Sequence, residues 1–145
     1  MRYRLYKFLF VLICTNFFLS APAFPQDNGD PSSTPAPIKL TLVEATMCEV
    51  IKEYIPQNQA IVFSMTIGKV SCFTSFDPVP EKTSIYHNWF YRDKLSTRIK
   101  LSLQPPCWST FSSIKLREAD KGPWRVEVID QEGNILDILR FSIVD

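Results

Sequence analysis

The chain has 145 residues, of which 46% are hydrophobic and 13% aromatic, and its formal net charge is +1. This length suits one ordinary domain, and the apolar content is too high for a disordered chain. No dense cluster of Lys and Arg is present, which argues against a nucleic-acid-binding protein because affinity for phosphate backbones comes mostly from such clusters.

The first 23 residues have the features of an export signal. Arg2, Arg4 and Lys7 precede an apolar run of about thirteen residues, and Ala21–Ala23 offers the small residues of a cleavage site. We predict a signal peptide at residues 1–23 that engages the membrane only during export, with an uncleaved N-terminal anchor as the alternative. Its removal leaves 13 basic and 15 acidic residues, a net charge of −2, on a periplasmic or extracellular domain.

Residues 24–40 are rich in Pro, Ser and Asp, and they predict a flexible spacer because they carry too little apolar surface to offset the entropy of ordering.

A folded domain is predicted over residues 41–145. The segment 41–56, "TLVEATMCEVIKEYIP", suits a short helix or a strand, and its β-branched residues and Pro56 favour the strand. In "AIVFSMTIG" one predicted strand face carries Ile61, Phe63, Met65 and Ile67.

The clearest alternation is in "KLSTRIKLSLQ", where every second residue is apolar or Thr and the others are polar. This pattern is typical of a half-buried antiparallel strand, with Lys94, Arg98 and Lys100 on its solvated face. A short polar turn, Tyr91–Lys94, precedes it.

The end of the chain, "GPWRVEVIDQEGNILDILRFSIVD", predicts a hairpin that turns at Asp130–Gly133. Trp124, Val126 and Val128 share one face, and the change of register after the turn predicts a bulge near Asp137. Seven to eight strands without a convincing helix predict an all-β, immunoglobulin-like antiparallel β-sandwich, with a closed barrel as the alternative.

Three cysteines remain after export, an odd number for an oxidising compartment. Cys48 and Cys72 lie on successive predicted strands, so we predict that they form a disulfide. The alternative is that all three are buried thiols. Cys107 follows two prolines and is the candidate free thiol, able to form an intermolecular bridge if it is exposed.

The sequence lacks the usual catalytic and cofactor motifs. His87 is its one histidine, and no G-x-S-x-G elbow, zinc spacing or glycine-rich phosphate loop is present. We therefore expect no catalytic residues, no metal, no cofactor and no enzymatic activity.

The aromatic segment "YHNWFY" is the candidate binding element. On a strand it places His87, Trp89 and Tyr91 on one face and Tyr86, Asn88 and Phe90 on the other. We predict a binding platform formed by His87, Trp89, Tyr91 and Trp108. The alternative is that both faces are covered, because large aromatic residues usually fill sandwich cores.

Several motifs together resemble the bacterial family known as domain of unknown function 2914. They are Cys48, "GKVSCFTSF", "HNWFY", "WSTFSSIKL" and "GPWRVEVIDQEGNILDILRFSIV". The resemblance implies a small extracytoplasmic β domain with no established activity and no catalytic residues to carry over. Cys107 departs from the family pattern, so the resemblance implies no role for this thiol.

These observations predict a non-catalytic binding or protein-interaction module of the cell envelope, whose partner is an unknown envelope protein or glycan. The first alternative is a carbohydrate-binding accessory or a weak glycan hydrolase, which would need two carboxylates across a groove, with Glu118, Asp120 and Glu127 as the residues to inspect. The second is a structural role through an edge strand or a Cys107-linked dimer.

Overall fold

A computed structural model describes residues 37–145. The predicted signal peptide, residues 1–23, and nearly all of the predicted spacer, residues 24–40, lie outside the described residues. Within the described part, no helix is long and apolar enough to cross a membrane.

The described residues form nine strands and two short 3-10 turns in two sheets. The strands are β1 (Leu42–Lys52), β2 (Ile55–Gln59), β3 (Val62–Ser64), β4 (Lys69–Phe76), β5 (Thr83–Tyr91), β6 (Lys94–Leu103), β7 (Trp108–Lys115), β8 (Gly122–Ile129) and β9 (Ile135–Val144). The 3-10 turns are η1 (Met65–Ile67) and η2 (Glu118–Asp120). The four-stranded sheet has the order β2-β1-β4-β7, and the five-stranded sheet has the order β3-β9-β8-β5-β6.

This arrangement confirms the predicted all-β sandwich. Two sheets share one layered core, and Trp89 is fully buried on β5, at the centre of that core, as the strand-C tryptophan is in immunoglobulin domains. Two details differ from the sequence prediction. The structure adds the short strands β2 and β3, and β3 pairs with β9 in parallel, so the five-stranded sheet is not purely antiparallel.

The predicted strand in the segment 41–56 is confirmed as β1, and Pro56 falls in β2 instead of ending it. β2 is an edge strand with a neighbour on one side only. A proline, which has no backbone N–H, is tolerated there because it need not leave a carbonyl of a neighbouring strand without its donor. The predicted strand around Phe63 is shorter than expected because Ser64 caps η1, accepting a hydrogen bond from the Thr66 N–H, and Gly68 ends the turn at φ 70°.

The closing hairpin forms as predicted. Asp130 accepts hydrogen bonds from the backbone N–H groups of Gly133 and Asn134, and Gly133 has φ 94°. The β8–β9 register shifts between Val128, which is opposite Asp137, and Ile129, so the bulge near Asp137 is confirmed.

Two clusters of buried side chains hold the sheets together. The first centres on Trp89, Trp124 and Phe141, and the second on Phe76, Ile85 and Leu103. Trp124 is only 5% exposed, as its shared face with Val126 and Val128 predicts.

The predicted Cys48–Cys72 disulfide does not form in the structure, where both residues are buried free thiols. The register gives the reason. Cys72 is opposite Met47 and packs in the first core cluster, whereas Cys48 is opposite Ser71, one position along, and so lies on the other face of the sheet. Burial also raises the pKa of the Cys72 thiol, which keeps it protonated.

Candidate functional site

The predicted platform does not form around His87 and Trp89. Both residues are completely buried, so that part of the prediction is wrong and the alternative of a covered face holds for them. Tyr91 is half-buried at the end of β5 and donates a hydrogen bond to the Lys121 carbonyl at 2.8 Å. Trp108 is also half-buried but lies in the other sheet, against the second core cluster, so the structure does not bring the four residues together.

Four polar side chains meet between the sheets in what we call the buried polar cluster: Thr74, His87, Trp89 and Ser112. Ser112 Oγ lies 2.8 Å from His87 Nδ1 and accepts a hydrogen bond from Trp89 Nε1 at 3.1 Å. His87 Nε2 lies 3.3 Å from Thr74 Oγ1. Burial lowers the pKa of His87 to about 4, so the imidazole is neutral at neutral pH and can both donate and accept.

The contact between Ser112 and His87 has the reach of a nucleophile and its base. It lies in the closed interior, however, because Ser112 is 5% exposed and His87 is 0% exposed. A substrate has no route to this hydroxyl in the structure described. The arrangement therefore ties β7 to β5 by satisfied hydrogen bonds, and we assign it a structural role.

The solvent side of the five-stranded sheet carries a different set of side chains, which we call the basic face. It consists of Tyr86, Asn88 and Phe90 on β5, surrounded by Arg98, Lys100, Arg125 and Arg140 from the neighbouring strands. Lys100 and Arg98 of β6 are opposite Tyr86 and Asn88. Arg125 of β8 is opposite Phe90 on one side and Arg140 of β9 on the other, so all these side chains share a face.

Two arginines of the basic face are stacked on aromatic rings. The guanidinium carbon of Arg98 lies 3.9 Å from the centroid of Tyr86, and that of Arg125 lies 4.0 Å from the centroid of Phe90. Such cation–π contacts hold a guanidinium flat on the ring and leave its N–H edges directed outwards. The basic face thus presents fixed donors instead of open aromatic surfaces.

The charges on this face are only partly neutralised. Arg125 pairs with Glu127, at 3.0 Å between Nε and Oε1, and with Asp93. Arg98, Lys100 and Arg140 are exposed and make no ion pair with any residue of the described part. Three cations on one sheet face therefore remain available to an acidic group.

Asn88 lies at the middle of the basic face, opposite Arg98 on one side and Glu127 on the other. It is 8% exposed, and its Oδ1 has no hydrogen-bond partner among the described residues. An unpaired buried carbonyl costs free energy, and because the Oδ1 atom itself is buried, this cost falls on the folded domain.

A concave site, which we call the end cavity, lies beside the β5–β6 turn and has a volume of about 340 Å³. Arg92, Lys94 and Arg117 supply its basic groups, while Tyr91, Leu95 and Trp124 supply its apolar wall. The Tyr91 and Trp124 rings are packed with centroids 4.9 Å apart. Arg92 lies over Tyr91, at 5.2 Å from the ring centroid.

The local backbone fixes the geometry of the end cavity. Arg92 and Asp93 form the two-residue turn between β5 and β6 with φ 46° and 63°, both in the left-handed region. Gly122 has φ 125°, and a Cβ at this position would lie 3.6 Å from two atoms of the Arg92 guanidinium. The Trp124 indole donates to the Asp120 carbonyl at 2.7 Å, which joins β8 to η2.

The three carboxylates considered for glycan hydrolysis are each bound to a basic side chain. Asp120 is buried and accepts from the Arg117 backbone N–H at 2.8 Å and from its guanidinium. Glu118 pairs with Lys121, and Glu127 pairs with Arg125 on the basic face. Their roles in the structure are those of ion-pair partners.

Sequence reasoning missed the two surfaces that the structure displays. It identified Tyr86, Asn88 and Phe90 as a common face but did not connect them with Arg98. The sequence did contain a signal for this contact. Asn88 has an aromatic residue on each side of it on the same strand face, so an arginine opposite Asn88 is within reach of an aromatic ring and can form a cation–π pair. The end cavity had no such signal, since it joins the Arg92 turn to η2 through packing that no spacing records.

The described residues form a small immunoglobulin-type β-sandwich. A comparison with protein families finds a match for the second half of the chain. Residues 82–143 match the model of the family described as "Protein of unknown function (DUF2914)", the same family that the sequence motifs resemble. This segment begins just before β5 and includes the basic face.

No curated protein matches the chain. Among solved structures, the chain is similar to the beta-glucosidase from Listeria innocua in complex with glucose, with a TM-score of 0.45 and 11% identity, over 88% of this chain and 21% of that enzyme. The chain thus spans about one fifth of the enzyme's length. A similarity at this level supports no conclusion about activity.

Proposed function

We propose that this chain is an exported, non-catalytic interaction module whose basic face contacts an acidic protein of the cell envelope. Export is supported by the basic, apolar and small-residue pattern of residues 1–23. The observation that carries the proposal is the set of exposed cations, Arg98, Lys100 and Arg140, without ion-pair partners among the described residues.

The stacking of Arg98 on Tyr86 favours binding in addition to the charge of the guanidinium. A guanidinium that is already held on a ring loses less conformational freedom when a carboxylate binds to it. A polypeptide that carries several carboxylates therefore fits this face.

The test measures binding of poly-L-glutamate to the full chain and to a double charge reversal, Arg98→Glu with Lys100→Glu. The unmodified chain is expected to bind with an affinity that falls as salt rises, because exposed charges are screened over about 8 Å at physiological ionic strength. The double reversal is expected to abolish this binding.

The matched control reverses two other exposed lysines, Lys69→Glu with Lys115→Glu, which are opposite each other on β4 and β7 of the other sheet. It changes the net charge by the same amount as the test variant and should leave binding largely intact. Equal loss in both variants would show a non-specific charge effect and reject the basic face as the interaction surface.

A further inference from the structure

We propose that the end cavity is a binding site for a hexuronate, a monosaccharide that carries one carboxylate. This inference is independent of the basic face and of its acidic partner. It rests on the volume, charge and apolar wall of the cavity and on the backbone that holds Arg92 in place.

The volume sets the size of the ligand. About 340 Å³ lies at the low end of the range for small-molecule sites, roughly 300–1,000 Å³, so the cavity suits one sugar ring and not a long glycan segment.

The charges of the cavity wall determine that the ligand is an anion. Arg92, Lys94 and Arg117 line the cavity with a single carboxylate, Asp120, which is already bound to Arg117 through both oxygens. Arg92 and Lys94 make no ion pair with a described residue, so they remain available to an anion. A carboxylate is recognised by a guanidinium through two parallel hydrogen bonds.

The remaining wall is mixed in a way that suits a sugar ring. Leu95 and Tyr91 provide most of the apolar surface, Trp124, which is 5% exposed, adds little, and Ser96 also lines the cavity. A pyranose has apolar C–H faces and polar hydroxyl edges, so it can contact both kinds of group at once.

The turn that carries Arg92 is not the one that local propensity favours. Two-residue turns with both residues at positive φ usually contain Asn-Gly or Asp-Gly, yet here Arg92 and Asp93 occupy these positions. Arg92 is strained in the left-handed region, because its Cβ crowds the backbone there, whereas Asp93 belongs to a residue type that tolerates it. The Arg92 guanidinium lies against Gly122 and Tyr91, at the wall of the cavity.

This geometry allows a variant that removes the charge without weakening the fold. Arg92→Asn removes the guanidinium and introduces a residue that tolerates positive φ, so its melting temperature should equal or exceed that of the unmodified chain. The matched control is Lys82→Gln, which removes one exposed positive charge before the first residue of β5, at the opposite end of that strand from Tyr91.

The experiment titrates D-glucuronate and D-glucose into the full chain and follows the backbone amides of Tyr91 and Arg92 and the Trp124 indole by NMR. We expect saturable shifts with glucuronate and none with glucose at the same concentration. Arg92→Asn should weaken glucuronate binding by about tenfold, as expected for loss of a charge-assisted hydrogen-bonded pair, and Lys82→Gln should not change it.

Three results would overturn the proposal. Glucose binding as tightly as glucuronate would reject the role of the carboxylate, and acetate competing at the same concentration as glucuronate would reject the role of the sugar ring. Unchanged affinity in Arg92→Asn would reject the assigned site. None of these results bears on poly-L-glutamate binding, so the two proposals fail separately.

Discussion

His87 shows how one buried residue links the core of this protein to pH. The imidazole is enclosed by both sheets and bonded to the Ser112 and Thr74 hydroxyls, and burial lowers its pKa from 6.5 to about 4. In the unfolded chain the same group takes up a proton near pH 6.5. The folded state therefore binds fewer protons than the unfolded state between these two pH values.

The sign of the pH effect follows from this difference. The contribution of neutral His87 to stability is complete above pH 6.5 and is lost as the pH falls towards 4. Between pH 7 and pH 5 the free energy of unfolding should fall by about 2 kcal/mol from this residue alone. Urea unfolding at pH 7, 6 and 5 measures the change.

The comparison for this prediction is His87→Asn, whose side chain does not titrate. The variant is expected to be less stable at pH 7, because Ser112 and Trp89 lose their arrangement, but its stability should depend less on pH between 7 and 5. An identical pH slope in the two proteins would show that the imidazole is not the titrating group.

At the scale of a single element, the β8–β9 hairpin shows which residues decide a turn. Asp130 accepts from the Asn134 backbone N–H at 2.7 Å and from its side chain at 2.8 Å, and Gly133 supplies the positive φ that reverses the chain. Nothing lies within 4 Å of where a Cβ on Gly133 would be, so only the backbone conformation opposes a larger residue there.

Gly133→Ala should therefore lower the free energy of unfolding by about 1–3 kcal/mol, the usual cost of a non-glycine residue held at an unfavourable positive φ. Chemical denaturation measures this difference. Glu132→Ala in the same exposed turn is the control and should change stability by less than about 0.5 kcal/mol. A Gly133→Ala protein as stable as the control would mean that the turn relaxes to another conformation.

Alternation along the chain predicted most of these elements but could not predict which face of β5 is buried. A strand with aromatic residues on both faces gives the same pattern whichever way it is turned. The buried choice depends on β4 and β7, which supply Thr74 and Ser112 as partners for the His87 ring. Such pairings lie far apart in sequence, and no local pattern encodes them.

The binding surfaces were predictable to different degrees for the same reason. The basic face uses residues that face each other on neighbouring strands, so a correct register for β5 and β6 is enough to place Arg98 beside Asn88. The end cavity combines a turn, η2 and the start of β8. Its residues meet only through tertiary packing, which a sequence pattern does not record.

At the scale of the whole molecule, the sandwich lacks the inter-sheet disulfide that often crosses the core of immunoglobulin domains. Cys72 on β4 faces the core, but the facing residues of β8 are Trp124, Val126 and Val128, which offer no sulfur. The sheets are held by apolar packing and the buried polar cluster instead. The thiols of the folded domain should therefore differ sharply in reactivity.

We expect Cys107, which is exposed, to react with iodoacetamide in the native protein, whereas Cys48 and Cys72, both 0% exposed, should react only after unfolding. Mass spectrometry of the modified peptides distinguishes the three sites. Under oxidising, non-reducing conditions the chain should also form a covalent dimer that Cys107→Ser abolishes. A Cys48–Cys72 linked peptide from the native protein would contradict the structure, because it requires the two strands to change register by one residue.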